Sequence, residues 1–480
     1  MIVAHIGFLF NSLIFIFAFL PLSLILYHLS FPSYKWNLRI LLAISFIFYA
    51  FWDIHSLPIL LVSIYFNFRV GKILIRNAKK ELLTFGVFIN LVFLVSTKYS
   101  NLLLLPIINC FTGLTHLEIS NSHWFPVGVS FFTFTQIGYL VDCYRSKFKP
   151  SNFTEYANFV TFFPHMIAGP ILNYKKFVPQ FSREFAKDSK QKLVSNIALG
   201  IETFVIGMAK KVLIADKLGQ YVNPLFSTPN PESALKNLSA YYLLLGIMSY
   251  SLQLYFDFSG YSEMAYGIAK MFGLTIPVNF TKPYLASSVI DFWRRWHISL
   301  SEFLRNYLYV PLGGNRGGGL TRYRNLLITM SLGGLWHGAN WTFAIWGLIQ
   351  GIALSGNHIL RSRWVRKSTS NRYQNLKKAF FTSLTFIFVS LAWVLFRSPS
   401  ISFAMNFYKN LYPHSAPEFH VDHLWLGLLL LGVGVLFLER TIEERETNSW
   451  TFRRYLKIGL IFSFLIFLLN QPSSYLYAQF

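Results

Sequence analysis

The sequence predicts an all-α polytopic membrane protein, and three observations predict it. Apolar stretches recur along nearly all of its 480 residues. Only 13% of residues are charged, against 54% hydrophobic and 18% aromatic, and mean hydropathy is +0.43. The basic residues concentrate in a few connecting segments rather than being spread along the chain. In chain order the candidate spans are Phe8–Leu29, Ile40–Phe51, Ser56–Phe68, Leu82–Ser96, Trp124–Val141, Phe159–Leu172, Leu193–Ile214, Leu238–Phe258, Tyr261–Phe272, Asn325–Leu354, Ala379–Phe396, Leu424–Leu438 and Ile458–Leu469. A crossing needs about 20 apolar residues, and several of these are shorter. The expectation is therefore about 10–12 transmembrane helices, with the remaining pieces re-entrant or interfacial and buried in protein.

The net charge of +23, from 43 Lys and Arg against 20 Asp and Glu, would suggest nucleic acid in a soluble chain. In a membrane protein it reports loop orientation, so no nucleic-acid partner is expected. Arg69–Lys80, Arg145–Lys149, Lys175–Lys192, Arg316–Arg324, Arg361–Lys378 and Arg440–Lys457 are assigned to the cytoplasm by the positive-inside rule. Thr112–Pro126, Val222–Pro231 and Ser398–Leu424 hold only Lys409 between them and are assigned to the opposite face. Met1–Ser33 carries no Lys or Arg, so it lacks the basic start of a cleaved signal. The first span is read as retained, with the N-terminus extracytoplasmic.

Cys110 and Cys143 supply neither a disulfide framework nor closely spaced metal ligands, and no metal site is expected. The longest polar stretches, Asn173–Lys192 and Arg361–Lys378, are loop-sized. The chain therefore reads as a single membrane domain over 1–480, surrounded by membrane lipids.

Asn325–Leu354 contains no Lys, Arg, Asp or Glu, and His337 near its middle is its one ionisable group. Read as one crossing, the segment puts that histidine at membrane depth, where an ionisable side chain marks a functional site. A hydrogen-bonded histidine that packs helices is the other reading. Gly333, Gly334 and Gly338 leave room for close approach of a backbone or substrate, and Trp336 and Trp341 are expected to wall the site.

A second cluster, Asp291–Tyr309, gathers Arg294, Arg295, His297, Glu302 and Arg305 among aromatics. As a helix it places Asp291 four residues before Arg295. It reads either as an interfacial helix with snorkelling arginines or as a cytoplasmic mouth whose guanidiniums bind the phosphates of a thioester donor. The glycine-rich Pro311–Gly319 lacks the Gly-Lys-Ser/Thr ending of a P-loop. In Leu254–Met264, Asp257 and Glu263 lie in apolar surroundings and need partners, for which the nearby arginines are candidates. Phe163–Pro170 combines two prolines, a glycine and His165, the pattern of a broken helix lining a cavity. No Gly-x-Ser-x-Gly elbow, His-Glu-x-x-His site or Walker A pattern appears.

FPHMIAGPI at 163–171, LYFDFSGYSEMA at 254–265, DFWRRWHISLSEFLRNYLYVPLGGNR at 291–316 and RNLLITMSLGGLWHGANWTF at 324–343 together resemble the membrane-bound O-acyltransferase family. The resemblance is to its bacterial polysaccharide branch, the branch of the alginate O-acetylation membrane subunit. It covers nearly the whole chain, with the motif-bearing core at about 124–359. The aromatic tail Tyr477, Ala478, Gln479, Phe480 is also similar to that branch. The resemblance implies a helical body around a central tunnel, where a cytoplasmic acyl thioester meets an acceptor from the other face.

Carried over on the motifs, the family's membrane-embedded catalytic histidine falls on His337 and its second active-site histidine on His297. Arg294, Arg295 and Arg305 are then expected at the donor phosphates, and Trp336, Asn340, Asp257 and His165 along the tunnel. Asn340 or Trp336 could donate to an oxyanion. No permanently bound cofactor is expected; the donor would be acetyl-CoA or an acyl-carrier thioester.

The function expected is an O-acetyltransferase of a bacterial inner membrane, passing acetyl toward an extracytoplasmic polysaccharide such as an alginate-like exopolysaccharide. No exported domain is present to grip a polymer, so a separate exported acetyltransferase is expected as partner. Peptidoglycan O-acetylation, D-alanyl transfer to teichoic acid and a proton-coupled transporter are the alternatives.

Overall fold

The computed structural model describes residues 8–29, 33–99, 126–145, 152–227, 235, 238–364, 371–412, 422–446 and 451–469. Cys110, Trp124, most of the 112–126 loop and the tail at 477–480 lie outside the described residues. Among the described residues every regular element is a helix, as the sequence predicts for an all-α polytopic membrane protein. Four helices among the described residues are long and apolar enough to cross a membrane by themselves: Leu57–Arg76, Lys80–Lys98, Trp341–Leu360 and Gln374–Arg397. Phe15–Leu29 and His423–Leu438 are shorter apolar helices. The other expected spans are broken, short or charged.

The helices form two compact units. The first is built from Met1–Met208, Tyr261–Val278 and Ser449–Gln479. Within it Leu57–Arg76 starts with Pro58 in its first turn, where the missing N–H costs no hydrogen bond. It packs against Lys80–Lys98 through a reciprocal amide pair: Asn90 Nδ2 donates to Asn67 Oδ1 at 2.7 Å, and Asn67 Nδ2 to Asn90 Oδ1 at 3.2 Å. Gln136, on Val129–Arg145, donates to Ser63 at 2.8 Å. These pairs satisfy polar groups that no water would reach between packed helices. Asn152 and Glu155 form a capping box that starts Phe153–Thr161. The chain then breaks at Phe162, restarts for one turn at Phe163–Met166, and buries His165, whose Nε2 contacts the Phe159 carbonyl at 3.2 Å. Late in the chain Phe452–Leu468 returns to this unit, and Arg454 grips Glu202 through two hydrogen bonds of 2.9 and 2.5 Å.

The second unit is drawn from Ala209–Gly260 and Asn279–Asn448. The structure corrects two readings of the sequence. Leu238–Phe258 and Tyr261–Phe272 are one 32-residue helix, Ala240–Met271, rather than two spans. Gly260 carries no branched side chain to force a turn, and buried packing offsets its poor helix propensity.

The second correction concerns Asn325–Leu354, which is not one crossing but parts of two helices, Gly318–His337 and Trp341–Trp364. Gly338 leaves the helix in an extended conformation, and Asn340 Oδ1 accepts the Thr342 N–H at 3.1 Å to start the next helix. The two helices run antiparallel along a glycine seam. A Cβ on Gly334 would overlap the Phe343 carbonyl oxygen, and one on Gly347 would overlap the Met330 carbonyl oxygen. Without side chains at those positions the backbones touch.

Candidate active site

His337 is the last residue of Gly318–His337, at the tip of this hairpin, and is 6% exposed. From Arg324 to His337 the helix rises about 20 Å at ~1.5 Å per residue. The hairpin thus carries one imidazole away from a basic loop and deep into apolar surroundings. Aromatic rings enclose it. Ring-centroid distances from His337 are 4.9 Å to Trp336, 5.0 Å to Phe396, 5.5 Å to Trp346 and 6.4 Å to Phe343. Trp346 in turn stacks on Trp393 at 5.4 Å and 19°.

The expectation that Trp336 and Trp341 form the wall is met only by Trp336. Trp341 is 58% exposed, because the break at Gly338 resets the helical register and swings position 341 outward. Trp346, one turn and a half further on, takes the wall position. Sequence reasoning missed Trp346 and Phe396; the sign available was their place in apolar runs, Trp346 nine residues after the histidine and Phe396 in a later run, which is too common a pattern to single them out.

His297 is buried and adopts φ 43°, ψ 56°, the left-handed region that few residues other than glycine enter. Backbone and side-chain hydrogen bonds on either side hold it there. Thr281 N–H donates to the Arg295 carbonyl at 3.0 Å, and Ile298 N–H to the Asn279 carbonyl at 3.0 Å. Asn279 Oδ1 accepts both the Ser299 N–H at 3.2 Å and the Ser299 hydroxyl at 2.7 Å. The His297 ring then packs edge-on to Phe258 at 4.8 Å and lies 6.2 Å from Trp336. Trp336 therefore touches both histidines, and the structure brings His297, Trp336 and His337 into one aromatic row.

The segment Asp291–Tyr309, read as one helix, is two short helices, Val289–Arg295 and Ile298–Leu304, followed by a π-helical turn at Arg305–Tyr309. The turn into the left-handed region at His297 separates them. Arg295 pairs with Asp291 at 3.0 Å through both Nε and Nη2, as the spacing of four predicts. Arg294 and Arg305 are exposed, Arg305 with its Nε on Asn306 Oδ1 at 3.2 Å. The glycine-rich loop is pinned by Asn325, whose Nδ2 donates to the Leu312 and Gly314 carbonyls at 3.0 and 3.1 Å.

Asp257 finds a different partner from the arginines that sequence reasoning offered. Lys211 Nζ lies 2.7 Å from Asp257 Oδ1 and 2.6 Å from Asp216 Oδ1. Its neighbour Lys210 reaches Glu439 at 2.8 Å, and the Tyr255 hydroxyl bonds the other Glu439 oxygen. Two lysines in the otherwise apolar Leu193–Ile214 were the available signal. Asn340 donates its Nδ2 to the Pro399 carbonyl at 2.7 Å, so its amide is engaged in holding the hairpin turn. His165 belongs to the first unit, where the broken helix described above holds it.

The arrangement is that of a buried base in an aromatic enclosure, fixed at the end of a rigid hairpin that begins in a basic loop. The chain is similar to known proteins along most of its length. The sequence profile of the membrane-bound O-acyltransferase family matches residues 52–398. The chain is 39% identical to the peptidoglycan O-acetyltransferase of Helicobacter pylori over 440 residues, covering 84% of this chain and 79% of that protein. It is 40% identical over 416 residues to a Pseudomonas aeruginosa protein named probable alginate O-acetylase AlgI, covering 84% and 74%. Similarity to the teichoic acid D-alanyltransferase of Streptococcus thermophilus is lower, 27% over 253 residues, covering 50% of this chain and 58% of that protein. The chain belongs to the membrane-bound O-acyltransferase family and is a membrane-embedded acyltransferase.

Proposed function

We propose that this enzyme moves an acetyl group from a cytoplasmic thioester, acetyl-CoA or an acyl-carrier thioester, toward hydroxyl groups of an extracytoplasmic glycan, with His337 as general base. The observation that carries the reading is the position of His337, the last residue of a helix that starts in a basic loop and ends in an aromatic enclosure. An alcohol is a poor nucleophile at neutral pH, and an imidazole can take its proton as it attacks the thioester carbonyl. Such proton transfer is typically worth ~10²–10⁴ in rate. Holding both substrates in dry surroundings supplies much of the rest.

Exposed Arg294 and Arg305, with Arg295 beside them, suit the phosphates of the donor, since guanidinium forks match phosphate oxygens and stay charged. About 20 Å of helix separates Arg324 from His337, so a donor anchored at that level must carry its thioester on a long, slender arm. His297 stands one tryptophan away and is placed to contact the donor or the attacking group.

Two glycans fit the acceptor role. The alginate relatives favour an exopolysaccharide, and the Helicobacter relative favours peptidoglycan. The D-alanyl reading has only a half-chain match behind it. The basic loops support a donor side facing the cytoplasm of a bacterial inner membrane, with the N-terminus on the opposite face. In this reading a separate exported acetyltransferase acts as the last carrier.

The test is the O-acetyl content of purified surface polysaccharide and peptidoglycan from cells carrying the intact protein or His337→Ala at equal membrane abundance. Loss of acetyl from one polymer supports the reading and names the acceptor. Full acetylation of every polymer overturns it.

A further inference from the structure

Beside His337 stands a hydrogen-bond donor that has nothing to donate to among the described residues. Trp346 is 1% exposed, and its ring centroid lies 5.5 Å from that of His337 at an interplanar angle of 84°. Its Nε1–H has no hydrogen-bond partner among the described residues. The two indoles packed against it are engaged: Trp393 Nε1 donates to the Tyr284 hydroxyl at 3.2 Å, and Trp293 Nε1 to Gln350 Oε1 at 3.2 Å. Leaving a buried N–H unpaired costs about 1–3 kcal/mol, and packing gives no reason for it, since phenylalanine or leucine would fill apolar space without the penalty. The ring is also held still, stacked on Trp393 and edge-on to Phe396 at 5.0 Å. A fixed, dry, unpaired donor next to a base is the arrangement that stabilises charge appearing only during reaction.

We propose that Trp346 Nε1–H is a catalytic donor to the oxyanion of the tetrahedral intermediate, resting on the acetyl-transfer reading above. In that step the acceptor hydroxyl oxygen attacks the thioester carbonyl carbon, the C–O bond forms, and the carbonyl π pair moves onto oxygen. His337 takes the hydroxyl proton. When the intermediate collapses, the C=O bond re-forms, the C–S bond breaks, and the departing sulfur receives the proton from His337. The negative charge on the carbonyl oxygen between these two events is what the indole N–H meets. Asn340 does not fill this role while its Nδ2 is given to Pro399.

The experiment replaces Trp346 with 3-benzothienylalanine, which keeps the bicyclic shape and puts sulfur where the N–H stood. Trp346→Phe and His337→Ala are made alongside, all in the full-length protein in lipid nanodiscs. Thiol release from acetyl-CoA is followed in the presence of cell-wall glycan. The expected result is a fall in kcat of ~10²–10³ for the isostere with KM and Tm nearly unchanged, the size typical of losing one oxyanion donor. Trp346→Phe should lose at least as much. An isostere within threefold of the unsubstituted enzyme, in a preparation where His337→Ala is dead, overturns the donor role and leaves the acetyl-transfer reading standing. If the unsubstituted enzyme neither releases thiol nor acetylates glycan, the acetyl-transfer reading falls and this inference falls with it.

Discussion

Asn279 and Ser299 are joined twice across twenty residues of sequence, since the Asn279 side-chain oxygen accepts both the amide and the hydroxyl of Ser299, and the Asn279 carbonyl accepts the Ile298 amide just before it. The residue they enclose is His297, which that clamp holds in the left-handed region. The clamp sets where the imidazole sits against Phe258 and Trp336.

Asn279→Ala removes the shared acceptor and leaves a buried N–H and hydroxyl unpaired. A loss of about 1–3 kcal/mol is expected. Thermal unfolding in detergent or nanodiscs should show the drop in Tm. Activity at a temperature where the variant is still folded should fall as well, because His297 loses its fixed position.

At His297 itself the backbone makes the test specific. Asparagine tolerates φ near 43°, whereas a β-branched residue does not. His297→Asn should fold at normal abundance with reduced transfer, and His297→Val should lose folded yield. Equal abundance of the two variants would show that the left-handed geometry is not needed.

Lys211 and Asp257 make a buried pair whose removal from one side leaves an uncompensated charge. Breaking such a pair typically costs ~3–5 kcal/mol, while replacing both partners together is far milder. Lys211→Met should therefore unfold at much lower temperature than Lys211→Met combined with Asp257→Leu. Additive losses in the double variant would mean the two residues do not depend on each other.

Gly347→Ala sets two opposing terms against each other. Alanine favours the helix by about 1 kcal/mol, but its methyl would press on the Met330 carbonyl, and overpacking typically costs ~1–3 kcal/mol. The clash involves backbone and has no side chain to yield, so the variant should be less stable. Gly356→Ala, where a Cβ meets nothing within 4 Å, is the control and should match or exceed the parent.

Much of this protein is written in its composition. Thirteen apolar stretches, a charge asymmetry and four motif segments are enough to specify a helical membrane body and to single out His337 and His297. What stayed hidden depends on where helices break. An uncharged run of thirty residues reads as one crossing because hydropathy does not register the two residues at which Gly338 and Asn340 turn the chain back. Once that break is missed, the register beyond it is wrong, so Trp341 is credited with the place that Trp346 holds. The partner of Asp257 escaped for a related reason: arginines close in sequence drew attention, whereas Lys211 comes from a helix more than forty residues upstream. Contacts that span such distances leave no periodic trace.

The hairpin also has a consequence for how the protein is made. Its second helix contains one of the four that are apolar enough to enter a bilayer alone, but its first helix, Gly318–His337, is not among them. Arg322 and Arg324, with the scattered glycines, Ser331 and two threonines, weaken it. During synthesis, the segment bearing His337 must therefore wait near the translocon for Trp341–Trp364 to emerge, and the two would then partition together, with the glycine seam already joined. A chain interrupted just after Asn340 would leave its histidine outside the lipid.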